Sequence, residues 1–293
     1  MSVKSDVRSR LEAAGASPAK AYGQHFLIEA PILDAIAAEA LQTGEPLLEV
    51  GPGPGTLTER LIAGDRSVVA VEKDRRLAGW LTQWFAANPR VRIVEGDVLQ
   101  QSWGELVPTG PATAVGNLPY NISGPLIARF VEDRSRWSHL FFMLQEEVAD
   151  RLAAPAGSRI YGPLSVLLQA CGPVKKLRRV PPGAFWPPPK VWSAVIEVRL
   201  EHPNAVGPPH WDRFRDWVRT AFRQRRKTLR NALAAVTDPT RLRRAARRSE
   251  VDLSQRPESL SWQAFRALVR AHDEDAPASG TDLRTAEEPP GAS

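Results

Sequence analysis

The chain has 293 residues, long for one domain and sufficient for two, and 43% of them are hydrophobic, enough for a substantial core. A single cysteine, Cys171, excludes an internal disulfide and a cysteine-based zinc site, the five histidines lack metal-ligand spacing, and no apolar run has the length of a membrane span or signal peptide. The net charge of +6 is uneven: with six acids against one arginine from Asp273 onward, that stretch is −5 and residues 1–272 are +11, which suits a polyanionic partner in the cytoplasm.

Residues 1–21 form a polar, alanine-rich arm with a short helix expected over Val7–Ala14. Tyr22-Gly23-Gln24-His25-Phe26-Leu27 follows, and nothing local explains its Gly-Gln-His core beyond a buried turn. Pro31 marks a helix start, with Ile32, Leu33, Ile36 and Ala40 at helical spacing. Leu47–Val50 reads as a short buried strand running into Gly51-Pro52-Gly53-Pro54-Gly55 and then a helix. Strand, glycine turn and helix form a nucleotide-binding layout. The turn lacks the Gly-Lys-Ser/Thr of a P-loop, and its G-x-G-x-G spacing departs from the dinucleotide fingerprint.

A second strand, Ser67–Val71, ends in Glu72, whose carboxylate can accept from ribose hydroxyls. A third, Val91–Val94, ends near Asp97, a carboxylate able to accept from an adenine amine. A fourth, Ala112–Val115, ends in Gly116-Asn117-Leu118-Pro119-Tyr120-Asn121-Ile122-Ser123. Pro119 stiffens this turn and biases Leu118 away from helix. An amide oxygen, a free carbonyl and an aromatic ring together suit a flipped adenine offered to a methyl donor. Taken alone, the same residues also describe an ordinary Asn-Pro turn with a core tyrosine. Four successive strand ends carrying glycines, Glu72, Asp97 and Asn117 weigh against coincidence, because open α/β sheets bind ligands at that edge.

A fifth strand is expected over Leu140–Leu144, then a helix from Gln145 with a surface Glu147–Arg151 pair, then a helix over Leu164–Ala170. The proline-fixed loop from Val180 to Ser193 reads as a stiff wall displaying Phe185 and Trp186, with Phe185 a stacking platform, and it feeds a last strand, Ala194–Leu200. Residues 201–209 read as a linker. Beyond it the pattern is helical, with Trp211, Phe214, Val218, Phe222 and Leu229 as an apolar stripe. Residues 211–250 hold thirteen Lys/Arg against four acids, an excess that favours phosphate contact. The candidates for it are Arg223, Arg225, Arg226, Lys227 and Arg230. A final helix spans Ser261–His272, and the tail from Asp273 has the composition of disorder.

These motifs resemble the small-subunit ribosomal RNA adenine dimethyltransferases (KsgA-type), from about Tyr22 to His272. The resemblance is carried by Gly23-Gln24-x-Phe26-Leu27, Glu49-Val50-Gly51-Pro52-Gly53-x-Gly55-x-Leu57-Thr58, Gly116–Ser123, Pro187-Pro188-Pro189-Lys190-Val191 and Gln224–Asn231. It implies an α/β fold: a Rossmann-like S-adenosylmethionine-dependent methyltransferase domain over residues 22–200 and a small all-α, basic C-terminal domain over 210–272. It implies that the methyl donor, S-adenosylmethionine, meets His25, Leu27, Gly51, Glu72, Asp97 and Asn117, with no metal. His25 stands where the family most often has asparagine. The target amine would be held by the Asn117 side chain and the Pro119 carbonyl in the Asn117-Leu118-Pro119-Tyr120 turn, and its base stacked between Tyr120 and Phe185. The implied substrate is a pair of adjacent adenosines in the 3′-terminal hairpin of 16S rRNA, met by a monomer in the immature small subunit, away from any membrane. Three alternatives stand beside it: a 23S rRNA methyltransferase of the macrolide-resistance type, a DNA adenine methyltransferase, and a ribosome-assembly factor whose catalysis is secondary. The basic C-terminal segment and the Asn117-Leu118 pair favour the small-subunit type.

Overall fold

The computed structural model describes residues 2–19, 22–201 and 210–275. Ser2 accepts the Ser5 N–H and caps α1 (Val3–Ala13), so the first helix starts earlier than its apolar residues suggest. In order there follow β1 (Phe26–Leu27), α2 (Ala30–Gln42), β2 (Leu47–Val50), α3 (Thr56–Leu61), β3 (Val68–Glu72), α4 (Arg75–Trp84), β4 (Val91–Glu95), α5 (Trp103–Leu106), β5 (Ala112–Asn117) and α6 (Ser123–Glu132). Then come β6 (Trp137–Gln145), α7 (Glu146–Ala153), α8 (Pro163–Gln169), β7 (Val174–Val180), β8 (Phe185–Trp186) and β9 (Ser193–Arg199). Four helices close the described chain: α9 (His210–Arg223), α10 (Leu229–Leu233), α11 (Pro239–Ser249) and α12 (Trp262–Asp273).

Seven strands form one sheet in the order β4-β3-β2-β5-β6-β9-β7. The first five are mutually parallel, and β9 runs antiparallel to both its neighbours. Every residue of β2 is buried, as expected of a strand covered by helices on both faces. Chain order reverses between β2 and β5, which places a topological switch point at the carboxyl end of β2. The short pair β1–β8 lies apart from this sheet, with Phe26 opposite Trp186 and Leu27 opposite Phe185.

One apolar core begins under the sheet with Leu48, Phe130, Trp137 and Phe142 and continues into Phe214, Trp217, Phe265 and Leu268 of the C-terminal helices. Fully burying such large side chains is worth roughly 1.5–3 kcal/mol each. The helices α9 and α12 therefore share their interior with the sheet through α8. Asp273 closes α12, and Glu274 and Asp275 pair with Arg248 and Arg244, so the stretch expected to be disordered from Asp273 is ordered through Asp275. Residues 276–293 and linker residues 202–209 lie outside the described residues.

Candidate active site

The parallel arrangement brings the ends of β2, β3, β4 and β5 to one edge, and a cleft of about 820 Å³, partly open to solvent, lies there. Gly51 follows β2 with φ +67°, a conformation that strains other residues, and a Cβ built on it would find nothing closer than 4.0 Å. Any side chain there would occupy the cleft. At Gly53 the constraint is contact, since a Cβ would lie 2.8 Å from the Phe26 ring. The glycine turn thus packs on the aromatic of β1 while keeping its own floor bare.

Two acids stand behind this turn. Glu72 is buried, and its carboxylate accepts from Gly53 N at 3.0 Å and from Asp74 N at 2.8 Å. Burial raises its pKa, and the two backbone bonds oppose the rise. Glu49 is also buried; burial lifts it to about 8, against a 2.7 Å hydrogen bond from the Thr58 hydroxyl. Asp97 is different. Lys73 Nζ lies 2.8 Å from its carboxylate, Leu99 N donates to it at 2.9 Å, and the lysine's hydrogen bond leads in lowering its pKa. Asp97 is therefore an ionised acceptor at the rim.

At the end of β5, the Asn117 amide Nδ2 donates to the His25 carbonyl at 2.7 Å. That bond orients the amide and leaves Oδ1 as its acceptor. Leu118 N donates to Met143 O at 3.0 Å, which ties the turn to β6. The Pro119 carbonyl accepts Ile122 N at 3.1 Å and keeps a second lone pair. His25 Nδ1 donates to the Pro187 carbonyl at 2.7 Å, and its ring stacks on Tyr120 with centroids 5.6 Å apart. The Tyr120 hydroxyl shares a 2.7 Å hydrogen bond with Ser193 Oγ.

His25, Gly51, Glu72, Asp97, Asn117, Leu118, Pro119 and Tyr120 all line this one cleft. Two expected residues do not. Leu27 and Phe185 face each other across β1–β8 and point together into the core, where they are 4% and 2% exposed. Their strand neighbours Phe26 and Trp186 take the opposite face, as pleating requires. The stacking partner that Tyr120 has here is His25. Tyr22, Gln24, Lys73, Val98 and Ile122 also line the cleft; Tyr22, Gln24 and Ile122 lie within stretches singled out above but were not named as site residues, and Lys73 and Val98 carried no motif. Arg223, Arg225, Arg226, Lys227 and Arg230 are exposed around the α9–α10 connection and do not line it. Among the described residues no group of His, Cys, Asp or Glu is placed to hold a metal ion, and no helix is long and apolar enough to cross a membrane.

The donor set fits a nucleoside: a buried carboxylate for paired hydroxyls, an ionised carboxylate for an amine, and Val71, Val98 and Leu118 for an apolar ring face. With the sheet order, this defines a Rossmann-like methyltransferase. A dimethyladenosine transferase from Plasmodium falciparum shares the fold at a TM-score of 0.74, with 21% identity over 85% of this chain and 98% of that one. The 23S rRNA methyltransferase ErmE does so at 0.68, with 24% identity over 85% and 99%. Residues 16–271 match the family described as ribosomal RNA adenine dimethylase, and the chain belongs to that family. It is 44% identical to "Ribosomal RNA small subunit methyltransferase A" of Anaeromyxobacter dehalogenans (strain 2CP-C), over 86% of this chain and 92% of the relative. Its identity to the protein of that name from Xylella fastidiosa (strain 9a5c) is 41%, over 87% and 96%.

Proposed function

We propose that this chain transfers methyl groups from S-adenosylmethionine to the exocyclic N6 amines of two adjacent adenosines in the 3′-terminal hairpin of 16S rRNA. It acts as a monomer, in the cytoplasm, on the immature small ribosomal subunit. The observation that carries the reading is the Asn117 turn: an amide fixed by the His25 carbonyl, beside an aromatic ring, at the strand edge that holds the glycine turn and Glu72. The relatives named for the small ribosomal subunit support that substrate over the 23S alternative.

Glu72 would hold the donor's ribose, Asp97 with Val98 its adenine, and Gly51 and His25 its amino-acid portion. When bound, S-adenosylmethionine supplies a methyl group on a positively charged sulfur. The rest falls to the protein. An adenine amine is a poor nucleophile because its lone pair is shared with the ring. Asn117 Oδ1 and the Pro119 carbonyl accept hydrogen bonds from its two N–H groups and favour a more tetrahedral nitrogen. Tyr120 stacks on the base and holds the amine in line, so positioning carries most of the acceleration. The amine loses its proton after transfer, and no general base is required.

The test is mass spectrometry of 16S rRNA from a strain lacking this gene, with and without the restored chain. Loss of dimethyladenosine near the 3′ end, recovered on restoration, is the expected result. Unchanged dimethylation in the deletion strain overturns the reading.

A further inference from the structure

The loop between β8 and β9 ties the two stacked rings of the cleft together: Pro187 O holds His25 at its start, and Ser193 Oγ holds Tyr120 at its end. Between them, Val191 and Trp192 are 44% and 40% exposed, although both are large and apolar. Trp192 is not loose. Its carbonyl accepts Glu146 N at 2.9 Å, the Glu146 carboxylate lies 2.7 Å from Arg179 Nε, and the Arg179 guanidinium lies 3.8 Å from the Trp192 ring centroid. Arg179 belongs to β7, the edge strand, whose seven residues Val174–Val180 hold four cations and no acid. Lys176 shares Glu146 with Arg179 on the Trp192 face, Lys175 and Arg178 take the opposite face, and Lys190 of the loop is exposed.

Cations on an edge strand guard against strand pairing with another chain. Such protection does not explain an exposed tryptophan and valine beside Arg179, next to the Ser193 that holds Tyr120. Aromatic faces beside cations are the chemistry of single-stranded nucleic acid contact, in which bases stack and phosphates pair. We propose that Trp192, held by Arg179 and Glu146, receives a nucleobase flanking the target adenosine, while Lys190 of the same loop takes an adjoining phosphate. This deepens the rRNA reading above and rests on it. The surface differs from the basic α9–α10 connection and adjoins the target turn through Ser193 and Tyr120. Extruding a base leaves its neighbours unstacked, and Trp192 offers one of them a replacement surface.

The experiment measures equilibrium binding of an unmethylated RNA hairpin with the 3′-terminal small-subunit sequence to the full chain, with S-adenosylmethionine binding followed by calorimetry. Trp192→Ala is expected to weaken hairpin binding roughly five- to a hundredfold, and Trp192→Phe to retain most of it, with donor affinity unchanged in both. Lys190→Ala is expected to flatten the log-log salt dependence by roughly one unit. Wild-type hairpin affinity in Trp192→Ala, or no hairpin binding by the wild type, overturns the proposal. So does a matching loss of donor affinity, which would mean that Trp192 only props Ser193 and Tyr120. If Trp192→Ala fails to fold, Lys190→Ala decides. Hairpin binding without methyl transfer by the wild type would sink the catalytic reading and leave this surface standing.

Discussion

The Asn117 side chain has one bond that fixes it, Nδ2 to the His25 carbonyl, and one acceptor left over. Asn117→Ala is expected to cut methyl transfer to under-methylated small subunits by on the order of a hundredfold or more, the scale for removing a preorganised polar group. The turn should persist, because Leu118 N remains bonded to Met143 O and Pro119 fixes its own φ. Near-normal transfer by a folded Asn117→Ala would place the chemistry elsewhere. Glu49 supports a second prediction, on stability. An unfolded Glu49 ionises near its ordinary 4.5, while the buried one keeps its proton to about 8. The folded state holds the extra proton in that window, so this carboxyl makes stability fall as pH rises through it, by at most about 1.4 kcal/mol per unit. Glu49→Gln keeps an acceptor for Thr58 and removes the titration. Melting temperatures from pH 5 to 8 should decline less steeply in Glu49→Gln than in the wild type, and parallel slopes would refute the assignment. At this scale the motifs named Asn117, Glu72 and Gly51 readily, because each closes a strand. The side chains of Leu27 and Phe185 turn into the core, and a two-residue strand gives too little alternation to say beforehand which side faces the cleft.

Among the elements, the glycine turn depends on a helix that a composition reading treats as an arm. Arg10 of α1 donates to Pro54 O at 3.2 Å, pairs with Asp6 at 2.8 Å and Glu59 at 2.7 Å, and lies 5.2 Å from the Trp84 ring centroid. Val7 and Leu11 of the same helix pack against Phe26, the ring that abuts Gly53. Arg10→Ala is therefore expected to destabilise the protein by about 1–3 kcal/mol. That is below the usual cost of breaking a fully buried pair, because both carboxylates remain about a third exposed. It should also weaken donor binding through the turn. Urea unfolding with an unchanged midpoint would show that α1 is only draped on the surface. The arm resisted sequence reading because its anchor is a charged side chain reaching 49 residues along the chain. Strand β7 was hidden for a related reason. Residues 175–179 are all exposed and mostly cationic, so neither alternation nor a buried run marks it. Helices α4 and α6 also carried no motif, whereas β2, β3, β4 and β5 stood out because buried parallel strands read as short apolar runs.

Over the whole molecule, charge and chemistry are separated: acids and amides gather in the cleft, while the densest cations lie on the C-terminal helices. Sequence composition shows that imbalance but not which cations are free to meet RNA, because pairing depends on the fold. Arg215 and Arg219 are bound to Glu132 of α6, and Arg244 to Asp275. Arg213 is paired with Asp273. Those cations dock α9 and close the helical region, and they have little left for phosphates. In the α9–α10 connection, Arg225 is partly engaged, donating to the Arg159 carbonyl with Glu258 3.9 Å away. Arg226 and Lys227 stand exposed beside it. Replacing Arg225, Arg226 and Lys227 together by alanine should therefore weaken binding to under-methylated subunits while leaving S-adenosylmethionine affinity unchanged. The log-log salt slope should flatten by roughly two units rather than three, each full phosphate contact contributing somewhat under one and Arg225 contributing less. Titrating subunit binding between low and moderate salt separates the possibilities. An unchanged slope would mean that these residues only pack the helices, and a loss of donor affinity would mean that the connection supports the cleft directly.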